Sequence, residues 1–362
     1  MTMHRSRRFS IGIPATFVAV VFVLAGCSSP GSTNSASPTA KVTSNTAPLP
    51  DSAIAAAKKE GTVTFYTGNA PVQANAVAQA FEDKYGIHVE VVRAQSGALT
   101  TRYQSEEESG KVFADVILQS DPIFAQTASN NGWFEKLDTK YAPALAPYPA
   151  EYVEPYSISV QVIPWAIEYD TSKVTGADIP KTWKDLLNKK WGTNGNLIIN
   201  SPLGGTSQGG LYNWLYVTYG ADFIKQLKTN NPTVVSSLTV ALQSMAAGEG
   251  EVFLGTTAQS DADLIKQGAT LATVTPDQTV GSPHYLSVSY KAPHPNAARL
   301  FANFLLSPEG QEPLNAGNAI SPLGRDLVPD SLKVPSHLSI VNVGQANQNL
   351  PTILKLLGVN AQ

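Results

Sequence analysis

From Val63 onward the apolar and polar positions change period repeatedly, and each change marks an element. Val63-Thr-Phe-Tyr-Thr67 reads as a strand. Pro71 then opens a helix in which Val72, Ala76, Val77, Ala80 and Phe81 recur at helical spacing, and Gly86 stops it. Ile87 to Val92 alternates as a second strand, followed by Ser96-Gly97 and a helix running through Tyr103 to Ser109. Val116-Ile-Leu118 is a buried third strand. After it, Asp121-Pro122 pairs an N-cap with a proline at the first helical position, and Gly132 closes that helix after Asn131. Three consecutive strand-loop-helix units predict an α/β fold with a parallel, doubly wound sheet. Ligands of such sheets bind beyond the carboxyl ends of the strands.

The proline-rich run Tyr141 to Pro155 breaks this rhythm, and the extended segment Ser159 to Tyr169 reads as a crossing into a second lobe. That lobe is expected to carry a helix at Trp183 to Asn188, a strand at Leu197 to Asn200, a loop from Ser201 to Gly210 and a helix from Leu211 to about Tyr219. A long helix near Pro232 to Ala247 and a strand at Val252 to Leu254 follow, and Ser260 with Asp263 reads as a capping box opening a short helix. Tyr285 to Tyr290 alternates like a returning strand, and Pro295 to Leu306 is amphipathic, with Ala298, Phe301, Ala302, Phe304 and Leu305 available for burial. The expected division is a first lobe over 51–160, a second over 161–282, and a return to the first lobe with C-terminal helices over 283–362.

The start of the chain is different. Arg5, Arg7 and Arg8 precede an apolar stretch, Ile11 to Ala25, and small residues lead to Cys27, the only cysteine. This is the order of a secretory signal, 1–26, and the apolar run is too short to span a bilayer. Leu24-Ala-Gly-Cys27 resembles the lipobox of bacterial lipoproteins, which implies lipidation of Cys27; a simple cleaved signal that happens to contain a cysteine is the alternative. Ser28 to Pro50 is rich in Ser, Thr, Pro, Ala, Asn and Gly with Lys41 as its one charge, so 27–50 reads as a lipidated residue and flexible tether. The three arginines leave with the signal, so 22 basic residues face 28 acidic ones, a charge of −6 on the remainder. No basic cluster suited to nucleic acid is visible. With its cysteine spent on lipid, the folded part has no disulfide and no thiolate metal site.

Four stretches carry a family resemblance: Val63 to Tyr66 with Ala80-Phe-Glu-Asp-Lys-Tyr-Gly-Ile87; Asp115-Val-Ile117; Ile167-Glu-Tyr-Asp-Thr171 with Trp183-Lys-Asp-Leu-Leu187; and Ala292-Pro-His-Pro-Asn-Ala-Ala298 leading to Asn303-Phe-Leu-Leu-Ser-Pro-Glu-Gly-Gln311. In this order they resemble the extracellular solute-binding proteins of ABC importers, type 2 periplasmic-binding fold, in the branch of ferric-iron, polyamine, thiamine and phosphonate binders. The resemblance implies two lobes joined by strands that cross near 160–168 and 281–288 and close around one small-molecule solute. It further implies delivery to an ABC permease, no catalysis and no cofactor. A monomer is expected, held by its lipid on the outer face of the cytoplasmic membrane, with no other membrane contact.

The loops after strand ends and at helix starts supply the candidate ligand contacts. In the first lobe they are Tyr66, Asn69, Ser96, Gly97, Ser120 and Asp121; in the second, Thr206, Ser207, Thr256, Thr257, Gln259 and Asp261. Hydroxyls and free N–H groups at helix starts favour an anionic group, although Asp121, Ser207 and Ser260 are also good caps. Gly204 to Gly210 is glycine-rich enough for backbone to approach a ligand, and it lacks the Lys-Ser or Lys-Thr of a P-loop. The family's iron binders carry paired tyrosines after the strand here placed at Val252 to Leu254. That region reads Gly255-Thr-Thr-Ala-Gln-Ser-Asp261, without them, so iron is the second reading, with Tyr212 and Tyr216 as its donors. The favoured solute is a phosphonate-, phosphate- or amine-containing organic compound, Asp121 or Asp261 pairing with an amine. A secreted hydrolase is the reading from another class, and neither Gly-x-Ser-x-Gly nor His-Glu-x-x-His is present to support it.

Overall fold

The computed structural model describes residues 48–193, 195–258 and 260–360. The expected signal, Cys27 and nearly all of the tether lie outside the described residues. The strands, in chain order, are β1 Thr62–Thr67, β2 His88–Arg93, β3 Val116–Gln119, β4 Val153–Glu154, β5 Ser157–Asp170, β6 Leu197–Asn200, β7 Thr233–Val235, β8 Val252–Thr257, β9 Leu271–Val274, β10 Gln278–Val288 and β11 His337–Ile340. They follow the order β2-β1-β3-β10-β5-β8-β6-β7.

β2, β1 and β3 are mutually parallel, as the three strand-loop-helix units predict. In the second lobe β8, β6 and β7 are parallel as well. β5 and β10 run antiparallel to each other and connect the lobes: the first half of β5 pairs with β10, its second half, Trp165–Asp170, pairs antiparallel with β8 and β9, and the start of β10 pairs parallel with β11. β10 in turn reaches β3 through Tyr285–Val288. These two strands are the crossings expected near 160–168 and 281–288.

Both faces of each sheet are covered, because successive strand residues point to opposite sides. Phe65 enters a core with Phe81, Phe301 and Phe304, whereas its neighbour Tyr66 enters another with Leu99, Tyr103 and Phe124. In the second lobe Ile199 joins Trp183, Tyr212 and Leu254, while Ile198 joins Leu242, Met245 and Phe253. Helices therefore flank both faces, the doubly wound arrangement.

Several elements differ from expectation. The helix expected from Leu211 already starts at Thr206, so half of the expected Ser201 to Gly210 loop is its first turn. The long helix from Pro232 is instead the short strand β7 and a helix, Leu238–Ala246. Thr233-Val-Val is β-branched and extends the sheet beside β6, and Ser237 caps the helix that follows by accepting from Val240 N at 3.3 Å. Trp183 to Leu187 forms a 3-10 turn with a capping box from Thr182 and Asp185. The box expected at Ser260 does not form: the short helix is Ala262–Lys266, and Ser260 Oγ lies 2.6 Å from Thr257 Oγ1. The C-terminal helix, Val343–Leu357, packs on the second lobe, where Val343, Ile353 and Leu357 join the core around Tyr212. The chain thus passes between the lobes a third time, just before β11.

Candidate functional site

Strand ends and helix starts from both lobes converge on a cavity of about 380 Å³. From the first lobe come Gly68, Gln95, Ser96, Gly97 and Ser120; from the second, Gly204 to Gln208 and Thr257. Two 14-residue helices, Ser96–Ser109 and Thr206–Tyr219, begin at this cavity, one from each lobe. Neither start has a side-chain cap, since Gln95 and Gly205 provide no hydrogen bond to the first turn. The uncapped N–H groups carry the positive end of each helix dipole toward the cavity. Gly205 has φ +154, and a Cβ there would sit 2.8 Å from Gln208 Oε1, so glycine is what lets the chain enter the second helix this way. The lobes meet across the cavity: Ser207 Oγ donates to Ser120 Oγ at 3.2 Å, and Ser120 in turn lies 3.2 Å from Ser96 Oγ.

The crossing strands make the floor, with Ile163 and Trp165 from β5 and Ser282 and His284 from β10. Trp165 Nε1 donates to Ser282 Oγ at 3.1 Å. His284 is 8% exposed and its Nδ1 has no partner. Burial pushes its pKa down to about 4, partly offset by the Ser282 backbone, so the ring is neutral near pH 7. Every described residue that lines the cavity is therefore uncharged at that pH.

A model of the bacterial extracellular solute-binding protein family matches residues 66–312. The chain belongs to this family. It is similar to the thiamine-binding periplasmic protein of Escherichia coli (strain K12), 24% identical over 262 residues that make up 70% of this chain and 77% of that protein. Iron-bound HitA from Pseudomonas aeruginosa superposes with a TM-score of 0.65 at 20% identity, covering 82% of this chain and 99% of the other. AfuA from Actinobacillus pleuropneumoniae, solved with exogenous fructose-6-phosphate bound, gives 0.61 at 22% identity, covering 82% and 98%. The fold is that of two-lobed periplasmic binding proteins, and the chain is a type 2 solute-binding protein of an ABC importer. Such proteins bind small solutes and deliver them to a permease. Among the described residues no helix is long and apolar enough to cross a membrane.

Within this solute-binding protein, six of the residues singled out from sequence line the cleft: Ser96, Gly97, Ser120, Thr206, Ser207 and Thr257. Others are engaged elsewhere. Tyr66 is buried and its hydroxyl donates to Glu106 at 2.7 Å, with the Arg102 guanidinium 4.7 Å from the ring centre. Burial and the Glu106 carboxylate push its pKa far above the ordinary phenol range. Asn69 Nδ2 donates to Gln161 Oε1 at 2.6 Å. Asp121 caps its own helix through Ile123 N and Phe124 N. Thr256 is fully buried, and Asp261 accepts from Thr273 beside Glu168. Gln259 and Cys27 lie outside the described residues.

Tyr212 and Tyr216 are likewise away from the cleft. Tyr212 is fully buried and donates to Asn200 O at 2.7 Å, and burial raises its pKa strongly, while Tyr216 packs against the same core. Among the described residues no three His, Cys, Asp or Glu side chains gather as a metal site. Sequence reasoning missed Gly68, Gln95 and the whole floor, Ile163, Trp165, Ser282 and His284. For the floor, the i, i+2 spacing on two crossing strands already located in the sequence was the available signal.

Proposed function

We propose that this solute-binding protein captures a small organic oxyanion, with the anionic head held between the starts of helices Ser96–Ser109 and Thr206–Tyr219. The observation that carries the reading is the pair of uncapped helix N-termini facing one cavity from opposite lobes. Backbone N–H groups and the hydroxyls of Ser96, Ser120, Thr206 and Ser207 supply the donors, so no lysine or arginine is needed. A phosphate, phosphonate or carboxylate suits this set. The amine half of the expected solute loses support, because Asp121 and Asp261 are spent on a cap and on Thr273. Iron loses support with Tyr212 and Tyr216 in the core.

A lipid on Cys27 would hold the monomer at the outer face of the cytoplasmic membrane on the 27–50 tether, beside its permease. Native mass spectrometry of the purified protein, followed by mass analysis of any small molecule released on denaturation, tests the solute. A released phosphate, phosphonate or carboxylate compound is expected, and a metal ion alone would refute the reading. Metabolic labelling with a fatty acid should mark the full-length chain and fail to mark Cys27→Ala.

A further inference from the structure

Two features of the cleft are left over once the anionic head is placed. The first is volume. About 380 Å³ holds roughly a dozen waters at about 30 Å³ each, far more than an inorganic oxyanion displaces. A site of this size falls at the lower end of small-organic-ligand pockets, so the ligand has a body. The second is His284 on the floor, more than nine-tenths buried, lining the cavity, with a ring nitrogen that no protein group satisfies. An unpaired polar atom at that depth is costly unless a ligand completes it.

The chemistry around the floor narrows what the body is. Gln95, Gln208, Thr257, Ser282 and His284 all line the cavity. Amides, hydroxyls and a neutral imidazole can each donate and accept. A hydroxyl on a ligand has the same dual character. An ammonium or other cation would need a carboxylate partner to offset its desolvation, and the described lining contains none. Trp165 and Ile163 supply the apolar face against which the carbon skeleton lies.

Resting on the oxyanion reading above, we propose that the solute is an oxyanion ester or analogue with an uncharged, hydroxyl-bearing carbon body, and that His284 is the specificity-determining residue that binds a hydroxyl of that body. His284 meets this group with the edge of its ring that lines the cavity, while the helix starts hold the head. Exchange of the hydroxyl for an amine places a cation against a neutral imidazole, which is the discrimination the site enforces.

Isothermal titration of the full chain at pH 7.5 tests this with inorganic phosphate, a hydroxyl arm (glycerol 3-phosphate, glucose 6-phosphate) and an amine arm (phosphoethanolamine, glucosamine 6-phosphate, thiamine monophosphate). The best hydroxyl ligand is expected to bind about tenfold or more tighter than its amine counterpart and than inorganic phosphate, the scale of one buried hydrogen bond or unpaired charge. His284→Asp supplies a carboxylate and should reverse the order toward the amine arm. His284→Asn keeps a donor and an acceptor and should preserve the wild-type order, which separates loss of folding from loss of specificity. An amine or thiamine ester that binds wild type as tightly as the hydroxyl arm, or an order that His284→Asp leaves unchanged, overturns the inference while the oxyanion reading stands. Failure of inorganic phosphate, of every ester and of the hydroxy-carboxylate gluconate to bind wild type overturns both.

Discussion

Glu168 makes the protein's stability sensitive to pH although water does not reach it. It sits on β5 with 0% exposure, its Oε2 accepts from Thr273 Oγ1 at 3.2 Å, and its Oε1 has no partner. Burial first, and then the Asp261 carboxylate beside it, push its pKa up to about 8. The folded protein therefore keeps a proton on Glu168 that the unfolded chain releases near the ordinary glutamate value of about 4.3. Between those limits the folded state binds more protons, so stability falls as pH rises, by about 1.4 kcal/mol per unit, until it levels off above the folded pKa. From pH 5.5 to 8.5 this amounts to roughly 3 kcal/mol. Glu168→Gln keeps the shape and removes the titration. Urea unfolding of both proteins at pH 5.5, 7 and 8.5 should show the variant gaining roughly 3 kcal/mol on wild type across the range, with the other titrating groups cancelling in the difference. A stability difference that does not change with pH would refute the reasoning.

Ser207→Ala removes the hydroxyl that reaches Ser120 at 3.2 Å, a contact that exists only with the lobes together. Stopped-flow tryptophan fluorescence should show solute release about fivefold faster with little change in capture, and an equal fall in capture rate would count against it. Gly310→Ala would drive a methyl into the Phe304 carbonyl where two helices meet at Ser307. Chemical denaturation should report a loss of about 3 kcal/mol, and a change below about 0.5 kcal/mol would contradict the close approach. Tyr212→Phe gives up the bond to Asn200 O and should cost about 1 kcal/mol of stability while leaving solute affinity unchanged. A ferric charge-transfer absorption band that disappears in this variant would revive the iron reading.

Local signals carried far in this chain. Ser307-Pro-Glu-Gly-Gln311 shows why such a stretch is informative: Ser307 caps by accepting from Gly310 N, Pro308 opens the helix, and Gly310 has no room for a side chain. Buried Gln311 donates to Leu305 O at 2.8 Å and accepts from Ser321 Oγ at 2.7 Å. Each residue does something its type is needed for, so the pattern is readable without the fold. The strand-helix units were legible for the same reason. β7 was hidden because Thr233-Val-Val is only three residues long and abuts a helical stretch. Tyr66 followed the right strand but pointed to the wrong face, since its partner Glu106 lies 40 residues on. The cleft floor unites Trp165 with Ser282, 117 residues apart, and no local period encodes that meeting.

The two cleft helices share a division between their ends that accounts for how a site without charges is held in shape. Toward its far end, the helix from Ser96 buries Glu106 and Glu107. Glu106 accepts from Tyr66, from Arg102 Nε at 3.0 Å and from Phe113 N at 3.0 Å, and Glu107 accepts from Lys291 at 2.7 Å and Tyr103 at 3.1 Å. Breaking either set would leave a buried carboxylate unpaired, so the helix is anchored to β1 and to the segment after β10. The helix from Thr206 is anchored through Tyr212 to Asn200 and through Asn213 to Gln345 and Asn349 of the C-terminal helix. Gly210 meets Val341 so closely that a Cβ would lie 2.9 Å from its side chain. The buried side chains that anchor these two helices are satisfied, and the first turns at the cleft carry no side-chain cap. Rigid anchoring stops the first-turn N–H groups from relaxing toward substitute partners, and under the proposed oxyanion reading their unmet hydrogen bonds are what the solute completes.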